Sequence, residues 1–251
     1  MWPYPRILAH RGGGSLAPEN TLAALRTGLA HGFRAVEFDV MLTRDGVGVV
    51  LHDPELGRTV AGSGSVAALS AAELTRMDAG RWFSPAFAGE PVPLFTQFVQ
   101  FCQEHGIWMN IELKPVPGFE AETGRLIANV TRALFTDALA SGEPRRLPLF
   151  SSFSMTALAA AAAAAPDLPR ACLFETLDGD WLDAVRRVGA IAIDTDYRHL
   201  QPGQIRAVKA AGLGLFCYTV NDPAIARSLL AAGVDGLCTD AIDRIGPEFP
   251  L

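Results

Sequence analysis

Short apolar runs rich in β-branched residues recur along the chain, near residues 6–10, 35–40, 107–113, 147–151, 170–175, 190–194, 214–220 and 236–239. Their length, together with the glycines and prolines around them, predicts strands. Helical spacing falls between them. From Asn20 to His31, Leu22, Leu25 and Leu29 share one face and the pattern stops at Gly32. Asp222 followed by Pro223 predicts a helix start, with Ile225 and Leu229 on its apolar face and an end at Gly233. The alanine run 157–165, halted by Pro166, predicts a closely packed helix. Eight strand–helix alternations in one chain predict a (β/α)8 TIM barrel, although a doubly wound sheet shares the same alternation.

One stretch, residues 41–106, interrupts the alternation after the second strand. Asp45-Gly46 predicts a turn, and a further strand runs from it to His52. Beyond it come the glycine–serine run 62–65, a capping box from Ser70 to Glu73, and an aromatic loop containing Trp82 and Phe83. The expectation is a single barrel domain over residues 1–251 with a small insertion at about 55–90. That insertion is either a packing flap or a lid over the loops where barrels carry their chemistry.

Charge then appears where the pattern asks for core. In a strand, side chains alternate between faces. Val36, Phe38 and Val40 share one face of the second strand, so Glu37 and Asp39 share the other. In the third, Ile111 and Leu113 point one way and Asn110, Glu112 and Lys114 the other. In a barrel the apolar set meets the helices and the charged set points into the mouth. Unpaired buried carboxylates are costly. Two arrangements relieve them: a divalent cation with oxygen ligands, or a buried ion-pair network involving Lys114 and Arg11.

The histidines favour chemistry. His31 and His105 each precede a glycine at a predicted helix end, where a cation suits the helix dipole. His199 lies in a polar loop. His10 and His52 each close an apolar run, and together with the inward carboxylates they suggest an acid–base pair at a metal.

Composition narrows the class. The net charge of −6 provides no basic field for nucleic acid. Cys102, Cys172, Cys217 and Cys238 are scattered in apolar runs without a C-x-x-C pair, which predicts buried reduced thiols. No run predicts a membrane span, and the opening residues lack the features of a signal peptide, so the expected location is cytoplasmic.

Several segments, in order, resemble the glycerophosphodiester phosphodiesterase family: "HRGG" with "PENT", "VEFDVMLTRDG" with "LHD", "RTVAGSGSV", "MDAGRWFSPAFAGEPVP", "IELK", "SSF", "YTVND" and "GVDGLCTD". The resemblance spans nearly the whole chain and is closest to the short soluble bacterial type. It implies that Glu37, Asp39 and Glu112 bind one divalent metal, with Mg²⁺ the first choice and Ca²⁺ the second. It implies that His10 and His52 are the catalytic pair and that Arg11 and Lys114 contact the substrate phosphate. Asn20 matches a position near that site, although a helix-capping role is the simpler expectation. Tyr218 stands where the family usually has a tryptophan, and the last strand reads "LCTD"; neither departure removes a charged group. The implied activity is hydrolysis of a small glycerophosphodiester to sn-glycerol 3-phosphate and an alcohol. The implied assembly is a monomer or homo-oligomer without stable membrane insertion. A barrel phosphodiesterase acting on lysophospholipids and a non-catalytic phosphate- or sugar-binding barrel are the alternatives.

Overall fold

The computed structural model describes residues 2–250. Eight parallel strands close into a barrel: β1 (Ile7–His10), β2 (Ala35–Leu42), β4 (Trp108–Leu113), β5 (Leu149–Ser152), β6 (Arg170–Phe174), β7 (Ala192–Asp196), β8 (Gly214–Tyr218) and β9 (Gly236–Thr239). Each pairs with the next, and β1 pairs with both β9 and β2 to complete the circle. β3 (Gly48–Val50) lies outside the circle, antiparallel to β2. Helices α1 (Leu22–Ala30), α3 (Phe95–Glu104), α4 (Glu120–Leu134), α6 (Met155–Ala164), α7 (Trp181–Val188), α8 (Pro202–Ala210) and α9 (Pro223–Ala231) occupy the crossovers, with short α2 (Ala71–Leu74) and α5 (Thr136–Ser141) beside them.

Strand alternation sorts the side chains into two regions. Val36, Phe38, Val40, Ile111 and Leu113 face outward into the layer between barrel and helices. Leu8, Trp108, Leu149 and Phe216 fill the lower interior. Asp222 caps α9 through the amides of Ala224 and Ile225, and Pro223 fills its first turn. The alanine-rich helix α6 packs closely on α4, where a methyl at Gly124 would stand 2.1 Å from the Ala157 carbonyl. The four cysteines are reduced and buried. Among the described residues no helix is long and apolar enough to cross a membrane.

The segment after β2 carries a small core of its own. Met41, Val49, Leu51, Val66 and Leu74 pack together, and Ser70 and Glu73 form the capping box of α2. Glu90 accepts a hydrogen bond from the Ala23 amide, tying the segment to α1. Asp78 accepts from the amides of Gly80, Arg81 and Gly89 and so closes the aromatic loop on itself.

Candidate active site

Register brings the inward charges together. Parallel pairing sets His10 beside Glu37 and Asp39 beside Glu112. Glu37 and Asp39 are buried. Oxygens of Glu37, Asp39 and Glu112 all lie within 4.8 Å of one another. Lys114, one residue beyond β4, reaches Asp39 Oδ1 at 3.4 Å and Glu112 Oε1 at 3.3 Å. Arg11 Nε stands 3.4 Å from Asp39 Oδ2, and the Arg11 amide donates to Glu37 Oε2 at 3.4 Å.

The expected ion-pair network is therefore present, but it does not satisfy every oxygen. Glu37 Oε1 is buried with no hydrogen-bond partner. Burial and the neighbouring carboxylates Asp39 and Glu112 push Glu37 well above the usual carboxylate range. Burial and Asp39 push Glu112 up to about 7. Burial alone would raise Asp39 too, but Lys114 and Arg11 outweigh it and hold Asp39 below its ordinary value. An orphaned oxygen and two carboxyls reluctant to ionise fit a site able to hold a divalent cation through oxygen ligands.

Both histidines are oriented by carboxylates. His10 Nδ1 lies 2.6 Å from Asp240 Oδ1, leaving Nε2 3.7 Å from Glu37 Oε2. His52 reaches the mouth by a different route from a barrel-strand end. β3 stops at Val50 and returns antiparallel along β2, with the Leu51 amide bonded to the Asp39 carbonyl, so His52 folds back over Asp39. Its Nδ1 lies 2.6 Å from Asp53 Oδ1, and its Nε2 2.7 Å from Lys114 Nζ. An ammonium only donates, so Nε2 accepts and Nδ1 carries the proton. Burial, helped by Arg11 and Lys114, lowers the His52 pKa against the pull of Asp39.

Asn20 is not the cap of α1. Thr21 takes that place, accepting from the Ala24 amide. Asn20 instead donates to Asp39 Oδ2 at 2.8 Å and accepts from the Asp39 amide. Among the described residues, Asn20 and Arg11 are the two non-glycine residues with positive φ, 60° and 51°. Backbone held in this region marks a site whose surroundings over-determine it.

Glu19, Asp53 and Arg58 lie in loops that sequence patterning does not orient. Arg58 bonds Asp53 through Nε at 2.6 Å and both oxygens of Glu19 at 2.7 Å. Glu19 in turn holds Arg11 at 2.7 Å. A continuous polar chain therefore joins the segment after β3 to His52 on one side and Arg11 on the other. Asp194, on the inward face of β7, is buried with Oδ1 unpartnered, and burial with nearby Glu112 pushes it up to about 8.

A pocket of about 250 Å³ at the barrel mouth is lined by His10, Arg11, Glu37, His52, Glu112 and Lys114 together with Asp194 and Tyr218. A larger recess of about 540 Å³ lies by the starts of β4 and β5, lined by Trp108, Arg145 and Arg146, and contains none of this constellation.

Residues 10–244 match the model of the Glycerophosphoryl diester phosphodiesterase family. The chain belongs to this family. A glycerophosphodiester phosphodiesterase of Caldanaerobacter subterraneus subsp. tengcongensis is 31% identical over 239 residues, 93% of each chain. Among solved structures, an Oleispira antarctica phosphodiesterase in complex with the product sn-glycerol 3-phosphate matches at TM-score 0.83 and 33% identity, over 94% of this chain and 93% of that one. A glycerophosphodiester phosphodiesterase of Agrobacterium tumefaciens matches at TM-score 0.74 and 28% identity, over 95% and 97%. The family match takes in every lining residue of the pocket, from His10 to Cys238.

Proposed function

We propose that the protein is a metal-dependent glycerophosphodiester phosphodiesterase, releasing sn-glycerol 3-phosphate and an alcohol. The observation that carries this reading is the meeting of two carboxylate-oriented histidines with a cluster of three inward carboxylates at the barrel mouth. The Oleispira relative, solved with that product, supports the substrate class.

Glu37, Asp39 and Glu112 would hold the divalent cation, Mg²⁺ first because it suits a site with few protein ligands, and Ca²⁺ second. Such an ion, when bound, draws charge from a non-bridging phosphate oxygen. Arg11 and Lys114 supply fixed positive charge to the remaining oxygens. Engaging phosphate moves Lys114 away from His52 Nε2, whose lone pair is then free to take the nucleophile's proton. Asp53 holds the proton on Nδ1 and stabilises the imidazolium that forms. His10, steadied by Asp240, gives the leaving alkoxide its proton. The segment 55–90 acts as a lid; Trp82 and Phe83 border a recess that shares His10 and Arg11 with the pocket.

The test is product analysis on purified protein with glycerophosphocholine, glycerophosphoethanolamine and lysophosphatidylcholine, with Mg²⁺, Ca²⁺ or chelator. Release of sn-glycerol 3-phosphate that chelator abolishes is expected. Turnover of the lysophospholipid alone assigns the lysophospholipid activity instead, and no turnover with any ion leaves a binding barrel.

A further inference from the structure

Beside the carboxylate cluster lies a second group of potential ligands with different chemistry. A ring nitrogen of His10, a Glu37 oxygen and Cys238 Sγ all lie within 4.8 Å of one another. All three residues line the same pocket. We propose that His10, Glu37 and Cys238 form an inhibitory site for a thiophilic divalent cation of the zinc class, overlapping the carboxylate site through Glu37.

The donor set argues for this class. Imidazole, carboxylate and thiolate are the ligands zinc takes, whereas magnesium and calcium prefer oxygen alone. Zinc bonds of about 2.0–2.3 Å place tetrahedral ligands roughly 3.3–3.7 Å apart. His10 and Glu37 already stand at 3.7 Å, so closure asks for small side-chain movement. Asp240 on His10 Nδ1 supplies the outer carboxylate that fixes a zinc-binding imidazole and turns its Nε2 lone pair inward. Glu37 Oε1, on a residue 5% exposed, is buried without a partner, an oxygen this site shares with the carboxylate cluster. Three protein ligands leave a fourth position open to the pocket.

Binding replaces the Cys238 S–H proton by the metal and releases that proton to solvent, with no change of oxidation state. It also ties up His10 Nε2 and draws on Glu37. The inhibitory consequence rests on the proposed phosphodiesterase activity; the binding itself does not. Cys102, Cys172 and Cys217 lie in the outer core, away from this group, and serve as controls.

The test has two arms. In the first, protein stripped with chelator is titrated with Co²⁺, and thiolate-to-cobalt charge transfer is followed in the near ultraviolet. A band at one equivalent that Zn²⁺ abolishes is expected, retained in Cys217→Ser and lost in both Cys238→Ser and Cys238→Ala. His10→Ala keeps the thiolate but binds at least about tenfold more weakly, since loss of an outer-shell partner alone already costs about 10–100-fold. In the second arm, Zn²⁺ is titrated at saturating Mg²⁺ and each protein's rate is taken relative to its own zinc-free rate. The half-inhibitory Zn²⁺ concentration should rise at least about tenfold in Cys238→Ala. No band in the wild type, or the same band in Cys238→Ala, overturns the site. Equal zinc sensitivity in wild type and Cys238→Ala overturns the inhibition. If the protein turns over no phosphodiester at all, the proposed function fails while the cobalt arm still decides the site.

Discussion

Replacing Asp194 by Asn should make the chelated protein more stable at high pH, and the structure sets the size of the effect. Asp194 is buried in the barrel with one oxygen unpartnered, and its pKa is pushed from the ordinary 3.8 up to about 8 by burial first and by Glu112 second. The folded protein therefore holds this proton where the unfolded chain has released it. Between pH 4 and pH 8 the folded state binds more protons, so stability falls as pH rises. The contribution is fully present below pH 4 and is lost as pH climbs through 8. At about 1.36 kcal/mol per pH unit, the loss is on the order of 5 kcal/mol. Asparagine keeps an oxygen to accept a hydrogen bond and cannot ionise. Urea unfolding in chelator from pH 5 to 8.5 should show wild-type stability declining steeply and the variant declining less, with the curves separating most above pH 7. Both keep a residual slope, because Glu112 is also raised, to about 7. In thermal melts the separation corresponds to roughly 10–20 °C for a chain of this size. Parallel curves over the whole range would show that Asp194 ionises freely in the fold, and the reasoning from burial would be wrong.

Two further outcomes follow from the site. His10→Ala and His52→Ala should each lose about 10²–10⁴-fold in rate on glycerophosphocholine while staying folded, and a nitrophenyl leaving group should rescue only His10→Ala; rescue of His52→Ala instead would exchange the two roles. Arg58→Ala should lower kcat about tenfold or more through its hold on Asp53 and Glu19, with Lys restoring little because an ammonium lacks the two-edged fork; an unchanged kcat and pH profile would reduce the Arg58 clamp to surface packing.

The barrel was legible because its strands obey a period of two under strong constraint. Each inward position meets the barrel interior and each outward one meets a helix, so a charge at an inward position stands out. Glu37, Asp39 and Glu112 were found this way, and the register of β1, β2 and β4 then brings them and His10 together. The segment after the second strand stood out as a break in rhythm, and Ser70 to Glu73 as a capping box. The route of His52 was not, because a single chain does not say whether a strand after a turn joins the circle or returns along its neighbour. Asn20 was misjudged as a cap because Asn20 and Thr21 are both capping residues, and only the fold shows Thr21 meeting the Ala24 amide and Asn20 meeting Asp39.

What escaped the sequence divides into two physical cases. Asp194 carried the same signal as Glu37: Ala192, Asp194 and Asp196 alternate with Ile193 and Thr195 along β7. It was hidden by strand bounds drawn near 190–194, which left the aspartate at an edge where a carboxylate reaches water and needs no explanation. The strand in fact runs on to Asp196, and that shift of two residues turns an ordinary loop acid into a buried one. Asp53, Asp240, Glu19 and Arg58 are the other case. They sit in loops, where no periodicity assigns a direction to a side chain, and each has a bland reading as a solvated charge. Their significance lies only in pairing across distance: Arg58 meets Glu19 thirty-nine positions away, and Asp240 meets His10 across 230. Strand chemistry can thus be read from one segment at a time, whereas the loop charges that orient it become visible only when the closed barrel brings its first and last strands side by side.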